Sequence, residues 1–67
     1  MALSARNQLS GSVKSVVLGD VMAEVVLDVA GMELVSVVTR RSVENLGIQA
    51  GDTVTAVVKA TEVLLDK

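Results

Sequence analysis

Short valine-rich runs, each followed by a turn that contains glycine, restrict most strongly what this 67-residue chain can fold into. Fifteen residues are valine, whose branched Cβ suits the pleated surface of a strand. In the run Met22–Val29 alternate residues are apolar, while Glu24 and Asp28 fall on the opposite face. The turn signals Gly19-Asp20 and Ala30-Gly31 bound this run. The pattern predicts a mostly β fold built from hairpins.

The other segments extend this pattern to five strands and one short helix. Thr39 as N-cap and Gly47 just past the end predict two helical turns between the third and fourth strands, and Ile48 is expected to plug the barrel end. Such a helix in a closed five-stranded antiparallel sheet is the OB-type arrangement, so we expect one domain over residues 1–67 with an OB-like barrel. The predicted strands are Ser12 to Leu18, MAEVVLDV, MELVSVVT, TVTAVVK and TEVLLDK.

The small size of the chain limits the core that it can form alone. A domain of about this length buries only about 60% of the surface that its unfolded chain exposes. The chain has no Cys and no His, so neither a disulfide nor a common zinc site can stabilise it. In MELVSVVT, Val35 and Val37 alternate with Leu34 and Val38, and one barrel cannot bury both faces. We therefore expect an oligomer that covers the outer apolar face.

The same composition excludes several functions. Without His or Cys there is no Ser-His-Asp or Cys-His nucleophile and no thiol chemistry, so we expect no enzyme. Aromatic residues are 0% and the net charge is -2, which argues against a nucleic-acid partner. No segment approaches the roughly 18 apolar residues of a membrane span, and the first residues lack the apolar core of a signal peptide. We expect a cytoplasmic protein with no membrane partner, and acidic residues that form a solvated face with no cation site.

Polar residues outside the strands and turns are nearly all hydrogen-bond donors. Arg6 and Asn7 precede the first strand, Thr39 and Ser42 open the helix, and Lys59 ends a strand. Hydroxyls, an amide, cations and helix N–H groups together suit a compact oxyanion. Taken singly, the same residues are also explained by helix capping, edge protection and solvated charge. Composition and spacing leave both interpretations open.

Four runs of the chain together resemble the molbindin (Mop) family of small molybdate-binding proteins, whose domains are also called TOBE domains. The pairing of SARNQ with a closing KAT is specific, and the runs cover nearly the whole chain in order. Similar domains are attached to molybdate-responsive regulators and to transporter ATPases, whereas this chain resembles the stand-alone form. The runs are SARNQLSG at 4–11, GDVMAEV at 19–25, VVTRRS at 37–42 and VKATEV at 58–63.

This resemblance implies an OB-like barrel that assembles as a homohexamer, a trimer of dimers. It also implies molybdate or tungstate bound at subunit interfaces for intracellular molybdenum storage and homeostasis. A second kind of site near the symmetry axis is implied too, for which the turn Gly19 to Met22 is only a candidate. The main site would draw on Ser4, Ala5, Arg6, Asn7, Lys59 and Ala60 of one chain and on Thr39, Ser42 and Val43 of a neighbouring chain.

The chemistry of the donor residues further restricts which ligand the site can bind. The family is also labelled molybdopterin-binding, but a chain without aromatic rings lacks the usual stacking partner of a pterin, so we expect a bare oxyanion and no organic cofactor. Phosphate at neutral pH carries a proton that a pocket of donors leaves unpaired, and sulfate is smaller than molybdate. Molybdate and tungstate are so similar in size and charge that the sequence does not distinguish them. The alternatives are a β-barrel oligomerisation module without ligand and an OB-type nucleic-acid binder.

Overall fold

The computed structural model describes residues 5–67, which form one antiparallel sheet with strand order β3-β2-β1-β4. The mostly β class and the position of the helix after the third strand are confirmed. In this part of the chain no helix is long and apolar enough to cross a membrane. The elements are β1 (Asn7–Leu18), β2 (Met22–Val29), β3 (Met32–Thr39), α1 (Arg40–Leu46), β4 (Thr53–Val58) and a 3₁₀ turn (Ala60–Glu62).

The first strand is longer than the sequence predicted, because it pairs with two different strands. Residues Asn7 to Ser12 pair with β4, and from Ser12 to Leu18 the strand pairs with β2. The prediction that the first strand starts at Ser12 was wrong. Apart from Leu9, residues 7–11 are polar or small, and the segment lacks the alternation of a strand. Its backbone N–H and C=O groups are nevertheless satisfied by the ladder with β4, whatever the side chains are.

Gly11 lies in a part of β1 that is too close to β2 for a side chain. A Cβ at this position would be 2.7 Å from the carbonyl oxygen of Asp28 and 2.8 Å from Cγ2 of Val29. We expect Gly11→Ala to lower the free energy of unfolding by about 1 to 3 kcal/mol, because the backbone of β2 cannot move aside cheaply. Denaturant unfolding measures this, with Ser12→Ala, an exposed neighbour, expected to change stability by less than about 0.5 kcal/mol. Equal stability of the two variants would contradict the close approach.

The hydrophobic core lies on one face of the sheet, and α1 contributes to it. The predicted inner face of β2 is confirmed, since Ala23, Val25 and Leu27 are only 2–3% exposed. Ile48 is half-buried and packs against these residues. A core this small agrees with the limit set by chain length. Its buried members are Val13, Ala23, Val25, Leu27 and Val43.

The opposite face of the sheet is apolar as well and is exposed. Val17 on β1 is 60% exposed, and Val35 and Val37 on β3 are 55% and 61% exposed. Val26 pairs with Val35, and Glu24 pairs with Val37, so one carboxylate lies within this apolar surface. The prediction of a strand that is apolar on both faces is confirmed. We call Val17, Val26, Val35 and Val37 the outer face.

An open groove of about 1070 Å³ is lined by residues of β3 and β4, the two edges of the sheet. The fifth strand predicted in TEVLLDK is not among the four that the described residues form. Ala60–Glu62 is a 3₁₀ turn, and residues 63–67 carry no strand. Leu64 and Leu65 are 90% and 94% exposed. A strand needs a partner for its backbone groups, and this segment has none within the described part of one chain.

Candidate functional site

Two hydroxyls at the start of α1 form the first half of the candidate site. Thr39 caps the helix, and its Oγ1 accepts a hydrogen bond from the backbone N–H of Ser42 at 3.1 Å. The two side-chain oxygens are 2.8 Å apart, so one hydroxyl donates to the other. The pair therefore keeps one hydroxyl proton to donate outward. Both residues are exposed, and the prediction of Thr39 as N-cap is confirmed.

Val43 lies beside this pair in sequence but does not present its side chain to a ligand. It is only 4% exposed and belongs to the core. The apolar side chain points inward because Val43 is the one buried residue of α1, the residue by which the helix packs on the sheet. Among the predicted site residues, Val43 can therefore contribute only through its backbone.

Arg40 and Arg41 follow Thr39 but have different environments. Arg41 is exposed, whereas Arg40 is half-buried. The Nη1 of Arg40 donates to the carbonyl oxygen of Gly19 at 3.3 Å, and its Nε lies 3.5 Å from Oε2 of Glu44. These contacts of Arg40 cannot be predicted from the sequence, since only the fold brings Gly19 next to the start of α1.

Two cations at the start of β1 and the end of β4 form the second half. Asn7 pairs with Val58 in the last pair of this antiparallel ladder, and Arg6 and Lys59 are the residues just beyond that pair on the two segments. Both side chains are exposed. Two cations that follow the same end of one ladder can both reach an anion bound there. The register thus brings the SARN and KAT runs to the same end of the sheet.

The remaining predicted residues of this half are also placed, apart from Ser4, which lies outside the described residues. Ala5 is half-buried, and its carbonyl oxygen accepts from Nε2 of Gln8 at 3.3 Å. Ala60 is exposed and begins the 3₁₀ turn that follows Lys59. The carbonyl oxygen of Lys59 accepts from the N–H of Glu62 at 2.9 Å. These bonds fix the backbone on both sides of the two cations.

One chain does not join the two halves. The cations lie at the start of β1. At the far end of β1 Leu18 pairs with Ala23, and the next residue of β2 along, Met22, pairs with Thr39. Measured along the strand at about 3.3 Å per residue, the path from Asn7 to Leu18 is roughly 36 Å, and it is interrupted by a register shift between Val13 and Ser15. Within residues 5–67 no hydrogen bond links Arg6 or Lys59 to the hydroxyl pair. The site predicted from the sequence is thus divided between two regions of the fold.

Lys14 is a cation that is already paired. Its Nζ lies 2.7 Å from Oε1 of Glu33. The hydrogen bond and charge of Glu33 raise the pKa of Lys14, and Asp28 adds to this. Because the pKa is raised on folding, the stabilisation is fully present below the ordinary lysine pKa and is lost as the pH rises through the raised value. Lys14 is thus paired with Glu33, whereas Arg6 and Lys59 form no ion pair within residues 5–67.

Known proteins resemble this chain over both halves of the site. A family model described as the TOBE domain matches residues 3–65. Molybdenum-pterin-binding protein 3 of Clostridium pasteurianum is 48% identical over 66 residues, which are 97% of each chain. A solved structure of a molybdate-binding protein from Sporomusa ovata has a TM-score of 0.97 and 49% identity and covers 100% of both chains. The cytoplasmic molybdate-binding protein ModG, solved with molybdate bound, has a TM-score of 0.85 and 46% identity over 90% of this chain and 43% of its own.

Proposed function

Because this chain belongs to the TOBE domain family, which confirms the resemblance to molbindins, we propose that it binds molybdate, and also tungstate, between the subunits of a homohexamer. In this proposal the protein stores molybdenum in the cytoplasm and catalyses no reaction. The observation that carries the proposal is the position of two exposed cations, Arg6 and Lys59, just beyond the last pair of the β1–β4 ladder.

The charge of the ligand matches these two cations. Molybdate is a dianion, and Arg6 and Lys59 supply two positive charges that form no ion pair with the acidic residues of the described chain. An oxyanion enclosed between subunits loses its hydration, so cations and donors must replace the water. Neighbouring backbone groups near Ala5 and Ala60 and the side chain of Asn7 supply further contacts in this proposal.

A second copy completes the site. The hydroxyl pair Thr39 and Ser42 lies beyond the far end of β1 from the cations, so a neighbouring chain provides the pair that meets Arg6 and Lys59. Such a site is incomplete in a monomer. The ligand then binds only the assembled protein and stabilises it.

The fifth strand of the OB-like barrel also comes from a neighbouring copy in this proposal. The groove between β3 and β4 leaves both edge strands without a partner on one side in the described sheet. Residues 63–67, VLLDK, begin with an extended Val63 and expose Leu64 and Leu65. Five extended residues span roughly 16 Å, comparable to the six-residue strand β4. The apolar tail and the apolar groove are complementary, and their union closes the barrel.

The outer face supplies a second kind of contact. Val35 and Val37 also line the groove, whereas Val17 and Val26 lie outside it, and exposed apolar surface of this extent is unusual on a monomer. One isologous contact makes a dimer, and a second contact around a threefold axis joins three dimers. The groove and the part of the outer face beyond it, at Val17 and Val26, therefore support a trimer of dimers in this proposal.

A bare oxyanion fits this site better than a pterin. The chain has no aromatic residue on which a pterin ring could stack. The Thr39 and Ser42 pair, the guanidinium of Arg6 and the ammonium of Lys59 all donate hydrogen bonds, as every oxygen of molybdate requires. In this proposal the protein holds no organic cofactor, although its Clostridium relative carries the word pterin in its name.

Calorimetric titration tests the function directly. Molybdate and tungstate should bind, and sulfate, phosphate and a free pterin should bind at least about tenfold more weakly. Absence of molybdate binding by the intact oligomer would overturn the proposal and favour an oligomerisation module without ligand. A gel shift assay at low salt tests the remaining alternative, an OB-type nucleic-acid binder.

Ligand binding should also raise the melting temperature. A ligand that binds only the assembled state stabilises it by about 2.7 kcal/mol per site at a free concentration of 100 times the dissociation constant. We expect a higher melting temperature in millimolar molybdate than in millimolar sulfate at equal ionic strength. An identical melting temperature in both salts would count against an interfacial site.

A further inference from the structure

Arg40 is the side chain at the start of α1 that the proposed function leaves without a role. Arg40 forms three hydrogen bonds, each with a different residue. Its backbone N–H donates to the carbonyl oxygen of Val21 at 2.8 Å, its Nη1 donates to the carbonyl oxygen of Gly19 at 3.3 Å, and its Nε donates to Glu44 at 3.5 Å. Arg40 thus fastens the start of α1 to the turn between β1 and β2.

The charge of Arg40 is unfavourable for the helix itself. A cation near a helix N-terminus opposes the helix dipole, and the first turn of α1 contains no acidic residue. The Gly19 carbonyl and Glu44 compensate the charge of Arg40, whereas Arg41 is exposed and has no such contact in the described chain. The contacts of Arg40 are therefore specific to its position and are not a general feature of this arginine pair.

The start of α1 depends on such contacts with the neighbouring turn, because α1 is short. A helix of seven residues is not stable alone, and its geometry depends on tertiary contacts. Thr39 directly precedes Arg40. The Thr39 and Ser42 pair has one hydroxyl proton free to donate, and the backbone of residues 39–42 sets the direction of that donor. An error of a few tenths of an ångström in this backbone misdirects the donor.

We infer that Arg40 is a positioning residue for the oxyanion site: by holding the start of α1 against the Gly19 to Met22 turn, it orients the hydroxyl pair toward the ligand. This inference rests on the proposed function. Arg40 touches no ligand in this scheme and acts through Thr39. Removal of residues that orient ligand-binding groups costs about 10- to 100-fold in affinity at metal sites, and we expect about tenfold here.

The test is a titration of the intact oligomer with molybdate, comparing Arg40→Ala, Arg40→Lys and the matched control Arg41→Ala. We expect about tenfold weaker binding for Arg40→Ala and less than about threefold for Arg41→Ala. Arg40→Lys should recover only part of the affinity, since one ammonium group does not span Gly19 and Glu44 as the guanidinium does. A general electrostatic role instead predicts full recovery in Arg40→Lys, equal losses in both alanine variants, and losses that vanish at high salt.

A double-mutant cycle with Thr39→Ala shows whether Arg40 acts through Thr39. If it does, Arg40→Ala weakens molybdate binding much less in the Thr39→Ala background than in the natural chain. Additive effects would overturn the inference, as would wild-type affinity in Arg40→Ala. Should Arg40→Ala fail to assemble, Arg40→Gln replaces it in the cycle. Failure of the wild-type protein to bind molybdate is a different result, which overturns the proposed function itself.

Discussion

Arg6→Ala and Lys59→Ala should each weaken molybdate binding by at least about tenfold, the largest effect that we expect at the site. Loss of either side chain leaves anion oxygens without a charged donor, at a cost of roughly 1 to 3 kcal/mol, and about 1.4 kcal/mol corresponds to one decade in affinity. Because both cations follow the same end of the β1–β4 ladder, each variant also leaves the dianion with only one of the two charges. Calorimetric titration measures both losses.

Arg41→Ala is the matched control for these variants, since it removes an exposed cation that is not at the β1–β4 ladder. Its affinity should fall by less than about threefold. Sedimentation should show the same oligomer for all three variants, because apolar contacts hold the subunits together. Wild-type affinity in both Arg6→Ala and Lys59→Ala would disprove the site assignment even if the protein binds molybdate.

Replacing Leu64 and Leu65 together by Asp should dissociate the oligomer. Full burial of a leucine side chain contributes about 1.5 to 3 kcal/mol, so the pair contributes roughly 3 to 6 kcal/mol per chain if the tail fills the groove of a neighbour. In the single chain these side chains are 90% and 94% exposed, so the substitution removes almost no contact within it. Sedimentation at micromolar concentration measures the change, with loss of the hexamer as the expected result.

Asp66→Asn and Lys67→Ala, which alter charge in the same tail, should leave the assembly intact. An unchanged hexamer in the Leu64 and Leu65 double variant would show that the tail does not close the barrel. A hexamer that falls apart only when the outer-face residue Val17, which lies outside the groove, is replaced by Asp would assign the whole assembly to the outer face instead.

Much of the fold could be predicted from the sequence because it depends on neighbouring residues. The run Met22–Val29 alternates along the chain, and the observed strand β2 has the same bounds. The hairpin turn at Ala30-Gly31 depends on two residues with positive φ, 51° and 83°. The cap formed by Thr39 joins residues three apart. Local backbone preference and side-chain spacing are sufficient for such features.

The candidate site could be predicted in part for the same reason. SARN, TRRS and KAT are short runs, and their residue types already indicate hydrogen-bond donors for an anion. Their positions in space were beyond sequence reasoning. Arg6 and Lys59 come to the same end of the sheet through the pairing of Asn7 with Val58, residues more than fifty positions apart in the chain.

By itself, the sequence determined the β class, the helix after β3, the inner face of β2 and the identity of the donors, because each is encoded within a few consecutive residues. Only the tertiary structure decided that β1 starts at Asn7, that Val43 is buried and that residues 63–67 form no strand within this chain. It also decided that Arg40 contacts Gly19, twenty-one residues away. These features depend on which distant segments meet, and that is settled by the pairing of whole strands and the burial of shared apolar surface.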